Sequence, residues 1–151
     1  MIIVSACLAG ICCRYDGGSN FRRNLTQLIP RDKLVLVCPE QLGGLPTPRL
    51  PAEIVDGDGV QVLSGRARVI NSRGEDVTEA FLKGAEEVLR IARLTGSKQA
   101  VLKARSPSCG TRRIYDGTFR GRLRPGSGVT AALLRKHGVK VIDDEQFGLS
   151  P

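Results

Sequence analysis

Apolar residues in this chain gather in short, mostly apolar runs, each bounded by Gly, Pro, Ser, Cys or charged residues. Positions 2–6, 34–37, 100–103 and 139–142 hold four such runs. An apolar run of this length is the mark of a strand buried on both faces of a parallel sheet. Helical spacing appears between them. Asp76-Val77-Thr78-Glu79 opens the longest helix, on which Ala80, Phe81, Ala85, Val88, Leu89, Ala92 and Leu94 form one apolar face before Gly96 ends it. Shorter helices are predicted over about 20–29, stopping before Pro30, and over 129–136, with Ser127 as cap and Gly138 beyond the end. Positions 60–63 and 67–70 flank Ser64-Gly65-Arg66 and read as a small inserted hairpin. Positions 41–52 carry Pro46, Pro48, Pro51 and the Gly43-Gly44 pair, and read as an ordered functional loop. Strands alternating with helices predict an α/β fold: one three-layer, Rossmann-like domain over 1–151 with a mainly parallel sheet.

Composition narrows this picture in three ways. With no Trp and six other aromatics among 151 residues, the core falls to Val, Leu, Ile and Ala. The net charge is +8, and 17 of the 23 basic residues are Arg, so anionic partners are favoured and RNA is possible. The arginines are nevertheless spread from Arg14 to Arg135 rather than massed, which is the habit of a solvated surface. No run approaches the ~20 apolar residues of a membrane span. Val4-Ser5-Ala6-Cys7 has the look of a lipoprotein cleavage box, but only six residues precede the cysteine and none is basic. Five cysteines without a secretory signal therefore read as free thiols of a reducing compartment, and a cytoplasmic protein is expected.

Three of those cysteines carry the chemistry. Cys7, Cys38 and Cys109 each lie just beyond a predicted strand. If the strands are parallel neighbours, their ends meet in the crevice where open α/β sheets bind ligands. A lone cysteine at such a place is ordinary packing; three, all beside Gly, Pro or Ser, point to a shared site. Structural zinc takes closely paired ligands that this chain lacks. Three converging thiolates suit an iron–sulfur cluster with one iron left open to substrate. Cys12 and Cys13 are adjacent and point in different directions, so at most one can reach the same metal, and both are expected to be dispensable. His137 sits at a predicted helix end, where a dipole contact accounts for it. Neither a Gly-x-x-x-x-Gly-Lys-Ser/Thr loop nor a Gly-x-Gly-x-x-Gly turn is present, so nucleotide hydrolysis and dinucleotide binding are not supported.

The segments SACLAGICCRYDG, CPEQLGGLPTPR and LKARSPSCG, followed by IYDGTF and later GVTAALL, resemble in order and spacing a bacterial family once labelled a domain of unknown function and now associated with thiouracil desulfidases. The resemblance covers nearly the whole chain. It implies a [4Fe–4S] enzyme that removes sulfur from a thiolated nucleobase such as thiouracil, giving uracil and sulfide without net redox change. The metal ligands it implies are Cys7, Cys38 and Cys109, and the catalytic residues Glu40 and Ser106. Arg14, Asp16 and Ser108 are candidates for holding the pyrimidine, with Arg49 a further one. The chemistry of the residues agrees, since iron is thiophilic and Glu40, two residues from a ligand, is placed to act as a general base. Two other readings remain open on the sequence: a cluster-dependent sulfur-transfer protein acting on RNA, and a non-enzymatic cluster-binding module.

Overall fold

A computed structural model describes all 151 residues. In chain order the elements are β1 (Ile2–Ser5), α1 (Leu25–Leu28), β2 (Leu34–Val37), α2 (Pro39–Leu42), β3 (Ala52–Val55), α3 (Gly59–Leu63), β4 (Arg68–Asn71), α4 (Thr78–Thr95), β5 (Gln99–Leu102), β6 (Arg113–Tyr115), β7 (Leu123–Pro125), α5 (Val129–Lys136), β8 (Lys140–Asp143) and α6 (Asp144–Phe147). The four apolar runs form one parallel sheet in the order β2-β1-β5-β8. Successive side chains leave opposite faces of a strand, and the burial follows that alternation. Ile3, Ala100, Leu102 and Val141 pack with α4 and α5. Val4 and Val101 face the other way, onto Leu8, Leu25, Ile29 and Leu149. These are the three layers that the alternating pattern predicts.

The inserted hairpin exists with its second strand one residue from the expected 67–70, but its first strand is not 60–63. Residues Gly59–Leu63 are helical, and β4 pairs antiparallel with β3, Ala52 opposite Asn71 and Val55 opposite Arg68. Val60 and Val62 satisfy a two-residue alternation, yet Asp58 and Gln61 form a reciprocal capping box that starts a helix there. The predicted helix over 20–29 shrinks to the single turn of α1, and the segment before it runs along the first cysteine loop, with the Asn20 and Arg22 amides donating to the carbonyls of Cys7 and Leu8. Helix α5 is capped by Gly128 without a side-chain bond, not by Ser127. Leu94, assigned to the apolar face of α4, is 81% exposed. A second hairpin, β6–β7, adds to the far wall of the crevice. No helix is long and apolar enough to cross a membrane.

Helix α4 joins the two halves of the interior. Phe81 and Ala85 pack on the β3–β4 hairpin, while Val88, Leu89 and Ala92 pack on the sheet. It can also lie directly against α2, because both helices present glycine at the contact. A Cβ on Gly84 would stand 1.9 Å from the Pro39 carbonyl oxygen, and one on Gly43 would stand 2.0 Å from that of Ala80. Pro39 lies between Cys38 and Glu40, so this contact sets the height of both. Ala is favoured over Gly by about 1 kcal/mol in an unhindered helix interior. Here the backbone clash outweighs that gain. Gly84→Ala should therefore lose roughly 1–3 kcal/mol of stability, the usual range for overpacking, measured by urea denaturation; a neutral or stabilising result would mean that α2 moves freely.

Candidate functional site

Parallel pairing puts the ends of β1, β2 and β5 at one edge of the sheet. Ser5 is opposite Val37, so Cys38, the next residue, emerges beside Cys7. Cys7 lies in a 3-10 turn, Ala6–Ala9, which Gly10 closes at φ +91°. A side chain there would be strained, so Gly10 turns the chain where other residues could not. Cys109 arrives by a longer loop from β5 and is tied back by Ser5, whose hydroxyl donates to its Sγ at 3.4 Å and accepts the Lys103 amide at 2.9 Å. All three cysteines line one cavity of about 580 Å³. The five thiols of the chain are unbridged.

Cys13 lines the same cavity and is 2% exposed, whereas Cys12 is exposed. Its thiol interacts with those of both Cys7 and Cys38. A hydrogen bond from Cys13 brings Cys7 down to about 7 against the opposing effect of burial, with Asn20 and the charge of Lys103 adding to it. The same donor, helped by the Gln41 amide and Arg49 against burial and Glu40, brings Cys38 to about 6. Cys13 itself is pushed far up, because its proton is shared with Cys38 and Cys7. Burial raises Cys109 to about 12, with the Ser5 and Ser108 hydroxyls pulling the other way.

Glu40 stands on α2 above this floor. Its Oε1 accepts from Arg49 Nε at 3.0 Å and its Oε2 from Ser108 Oγ at 2.9 Å. Ser106 Oγ lies 3.0 Å from Ser108 Oγ and already accepts the amides of Ser108 and Cys109, at 3.2 and 3.1 Å. Ser108 has one proton, and the Glu40 carboxylate at 2.9 Å is a closer acceptor for it than Cys109 Sγ at 3.7 Å. Ser106 must then donate to Ser108, which gives the chain of three groups a direction: Ser106 to Ser108 to Glu40. Arg49 also donates to the Cys13 carbonyl at 2.8 Å, so one guanidinium, 6% exposed, fixes the acid and the Cys13 backbone together.

The pyrimidine-holding candidates divide. Arg14 and Ser108 line the cavity; Asp16 does not. The Asp16 carboxylate engages Arg14 Nε and Nη2 and the Gly18 amide, and the last of these leads in holding its carboxyl below the ordinary range. Arg14 in turn donates to Asn20 Oδ1 at 2.7 Å, and Asn20 Nδ2 donates to Cys7 Sγ at 3.4 Å. The Tyr-Asp-Gly tripeptide recurs with the same local shape: Asp116 accepts the Thr118 amide as Asp16 accepts that of Gly18, and both tyrosines line the cavity. Sequence reasoning missed Cys13, Asn20, Ser5 and Lys103 as members of the site. The Cys12-Cys13 pair did signal that one thiol turns inward, but nothing in the pattern says which.

A four-iron cluster fits these residues. No three His, Cys, Asp or Glu side chains converge closely enough to hold a single metal ion, whereas a cluster takes one thiolate at each of several separated irons. Asn20 and Ser5 aim donors at the sulfurs of Cys7 and Cys109, as thiolate ligands require of their surroundings.

Comparison with known proteins bears on the same residues. The family model described as 2-thiouracil desulfurase matches residues 2–146. The chain is 47% identical over 147 residues to the uncharacterized protein YbbK of Bacillus subtilis (strain 168), covering 97% of each. Among solved structures it superposes on the [4Fe–4S]-dependent thiouracil desulfidase TudS with a TM-score of 0.84 at 44% identity, covering 96% of this chain and 91% of that one.

The role of Cys13 as a shared donor can be measured. In the reduced, metal-free chain, ultraviolet thiolate absorbance should show two cysteines ionising at about 6 and about 7. Cys13→Ala removes the donor that favours the charged forms, so both should move up toward the ordinary thiol range. An unchanged titration would remove Cys13 from the hydrogen-bonded group.

Proposed function

Because the chain belongs to the 2-thiouracil desulfurase family, we propose that it is a [4Fe–4S]-dependent desulfidase that converts a small thiolated pyrimidine such as thiouracil, with water, into the oxo base and sulfide. The observation that carries the reading is the meeting, in one cavity, of three strand-end thiols with the hydrogen-bonded chain Ser106–Ser108–Glu40. In this reading Cys7, Cys38 and Cys109 hold the cluster. When bound, it supplies an iron free of protein ligands, a soft Lewis acid for a thiocarbonyl sulfur.

The protein's own groups do the proton work. Exchange of sulfur for oxygen at the ring carbon needs a base for the entering water and an acid for the departing sulfur. Glu40 and Ser106 are both half-buried and line the cavity, while Ser108 between them is 2% exposed. Water entering the cavity gives its proton to Glu40, which lines it, and the same carboxyl returns a proton to the sulfur. Ser106, its oxygen filled by the Ser108 and Cys109 amides, orients the Ser108 hydroxyl that donates to Glu40 Oε2. Arg49 on Oε1 fixes the orientation of the carboxylate. Arg14, lining the cavity, is the cation placed to hold the pyrimidine, and Asp16 and Asn20 fix its guanidinium.

Glu40→Gln preserves the shape but cannot accept the proton. It should keep a full complement of iron and slow single-turnover sulfide release roughly 10²-fold or more under anaerobic conditions, the usual scale of an acid–base contribution. Release at the normal rate from a fully loaded variant would take Glu40 out of the mechanism.

A further inference from the structure

Four cations line the cavity, and three of them are matched in number by carboxylates, Glu145 being shared with Arg112, which has Asp143 as well. Arg14 is paired with Asp16, Arg49 with Glu40 and Arg105 with Glu145. Lys103 is the exception. It follows β5 directly, and its side chain is only 17% exposed. Its Nζ donates to the Ala104 carbonyl at 3.3 Å and stands 3.9 Å from Asp144 Oδ2, beyond hydrogen-bond reach.

Asp144 does not neutralise it. That carboxylate is fully buried, and its Oδ2 is taken by Arg22 through both Nε (3.1 Å) and Nη2 (2.7 Å), while Oδ1 accepts the Ala104 amide. Arg22 and Lys103 thus bring two positive charges to one negative charge, and the surplus sits at the Lys103 ammonium. The cavity's remaining carboxylate, Glu53, belongs to β3 and accepts the Gly117 and Phe119 amides through Oε1. Holding an uncompensated charge out of water is unfavourable, so an anion should stand opposite it. The thiols supply one. Three thiolates leave a four-iron cluster with a net negative charge, and the anionic hydrosulfide product adds to it.

We propose that Lys103 is a positioning residue whose ammonium, held between the Ala104 carbonyl and the Arg22–Asp144 pair, balances the negative charge of the three-thiolate cluster. The inference rests on the cluster reading given above. The charge acts through the cluster rather than on the substrate, and raises the cluster's reduction potential by stabilising the more negative, reduced form. The backbone bond from Lys103 to Ser5 is independent of the side chain, so substitution there leaves the Cys109 tether in place.

The test compares Lys103→Met, which keeps the length of the stem, with Lys103→Arg, which keeps the charge. Each protein is loaded anaerobically, assayed for iron and sulfide, and titrated redox-wise with the reduced cluster followed by electron paramagnetic resonance. At the wild-type midpoint, the reduced-to-oxidised ratio should fall roughly tenfold in the methionine variant, the size of a unit charge acting over about 10 Å at an effective dielectric constant of about 20. The arginine variant should recover most of that loss. An unchanged midpoint in a fully loaded methionine variant overturns the inference. If the methionine variant does not load, iron incorporation decides: loading of the arginine variant alone upholds the need for charge, and failure of both overturns it. Absence of a cluster from the wild-type protein would overturn the cluster reading itself, a result distinct from all of these.

Discussion

Strand β1 is paired in parallel on both sides, with β2 through Ile2–Leu34 to Ser5–Val37 and with β5 through Ile2–Gln99 to Val4–Val101. Those two ladders determine where every thiol can be. Side chains alternate faces along a strand, so a slip of one residue would reverse which side Ile3 and Val4 bury and carry Cys38 away from Cys7. The layers forbid the slip, since Ile3 and Val4 are both fully buried, on opposite faces. Core packing on each side of β1 is therefore what holds three distant cysteines at one edge. Nothing local to any cysteine could do so.

The sheet was easy to read in the sequence because its central strands β1 and β5 are buried on both faces and the edge strands β2 and β8 still carry mostly apolar runs. β2 and α5 have the predicted bounds, and the other inner strands are displaced by a residue or so. Segment 60–63 was misread because four residues are too few to separate a two-residue period from a helical one. The Asp58–Gln61 capping box, not the apolar pattern, held the answer there. Within the site, the residues read from their motifs are those that stand next to a cysteine or on the same loop. Asn20 and Lys103 escaped because their parts depend on tertiary neighbours: a sulfur thirteen positions away in one case, a carboxylate on α6 in the other.

A common device runs through the site. Each acceptor that must carry charge is served by a donor from a different segment of chain: Cys7 by Asn20, Cys109 by Ser5, Glu40 by Arg49 and Ser108. Cross-segment donors couple orientation to electrostatics. A loop that drifts loses its alignment and its charge stabilisation together, so the ordered site is favoured as a unit. Arg49 does this most economically, joining the acid of one cysteine loop to the backbone carbonyl of another.

The carboxylates at the end of β8 and the start of α6 reach back across the fold. Asp144 grips Arg22 near the first cysteine and the Ala104 amide before the third, Asp143 grips Arg112, and Asn24 exchanges bonds with Gly148 and Ser150. Translation proceeds from the amino end and packed units fold as wholes, so a sheet that includes β8 is completed only once that strand has emerged. A nascent chain consequently exposes all of its cysteines before it possesses the clasp that seats two of their loops. During that interval the thiols are present without their final geometry, available to stray metals and oxidants in the surrounding medium. Assembly of the finished site thus belongs after synthesis of the clasp, which makes cluster delivery a late event in the life of this chain rather than an accompaniment to its translation.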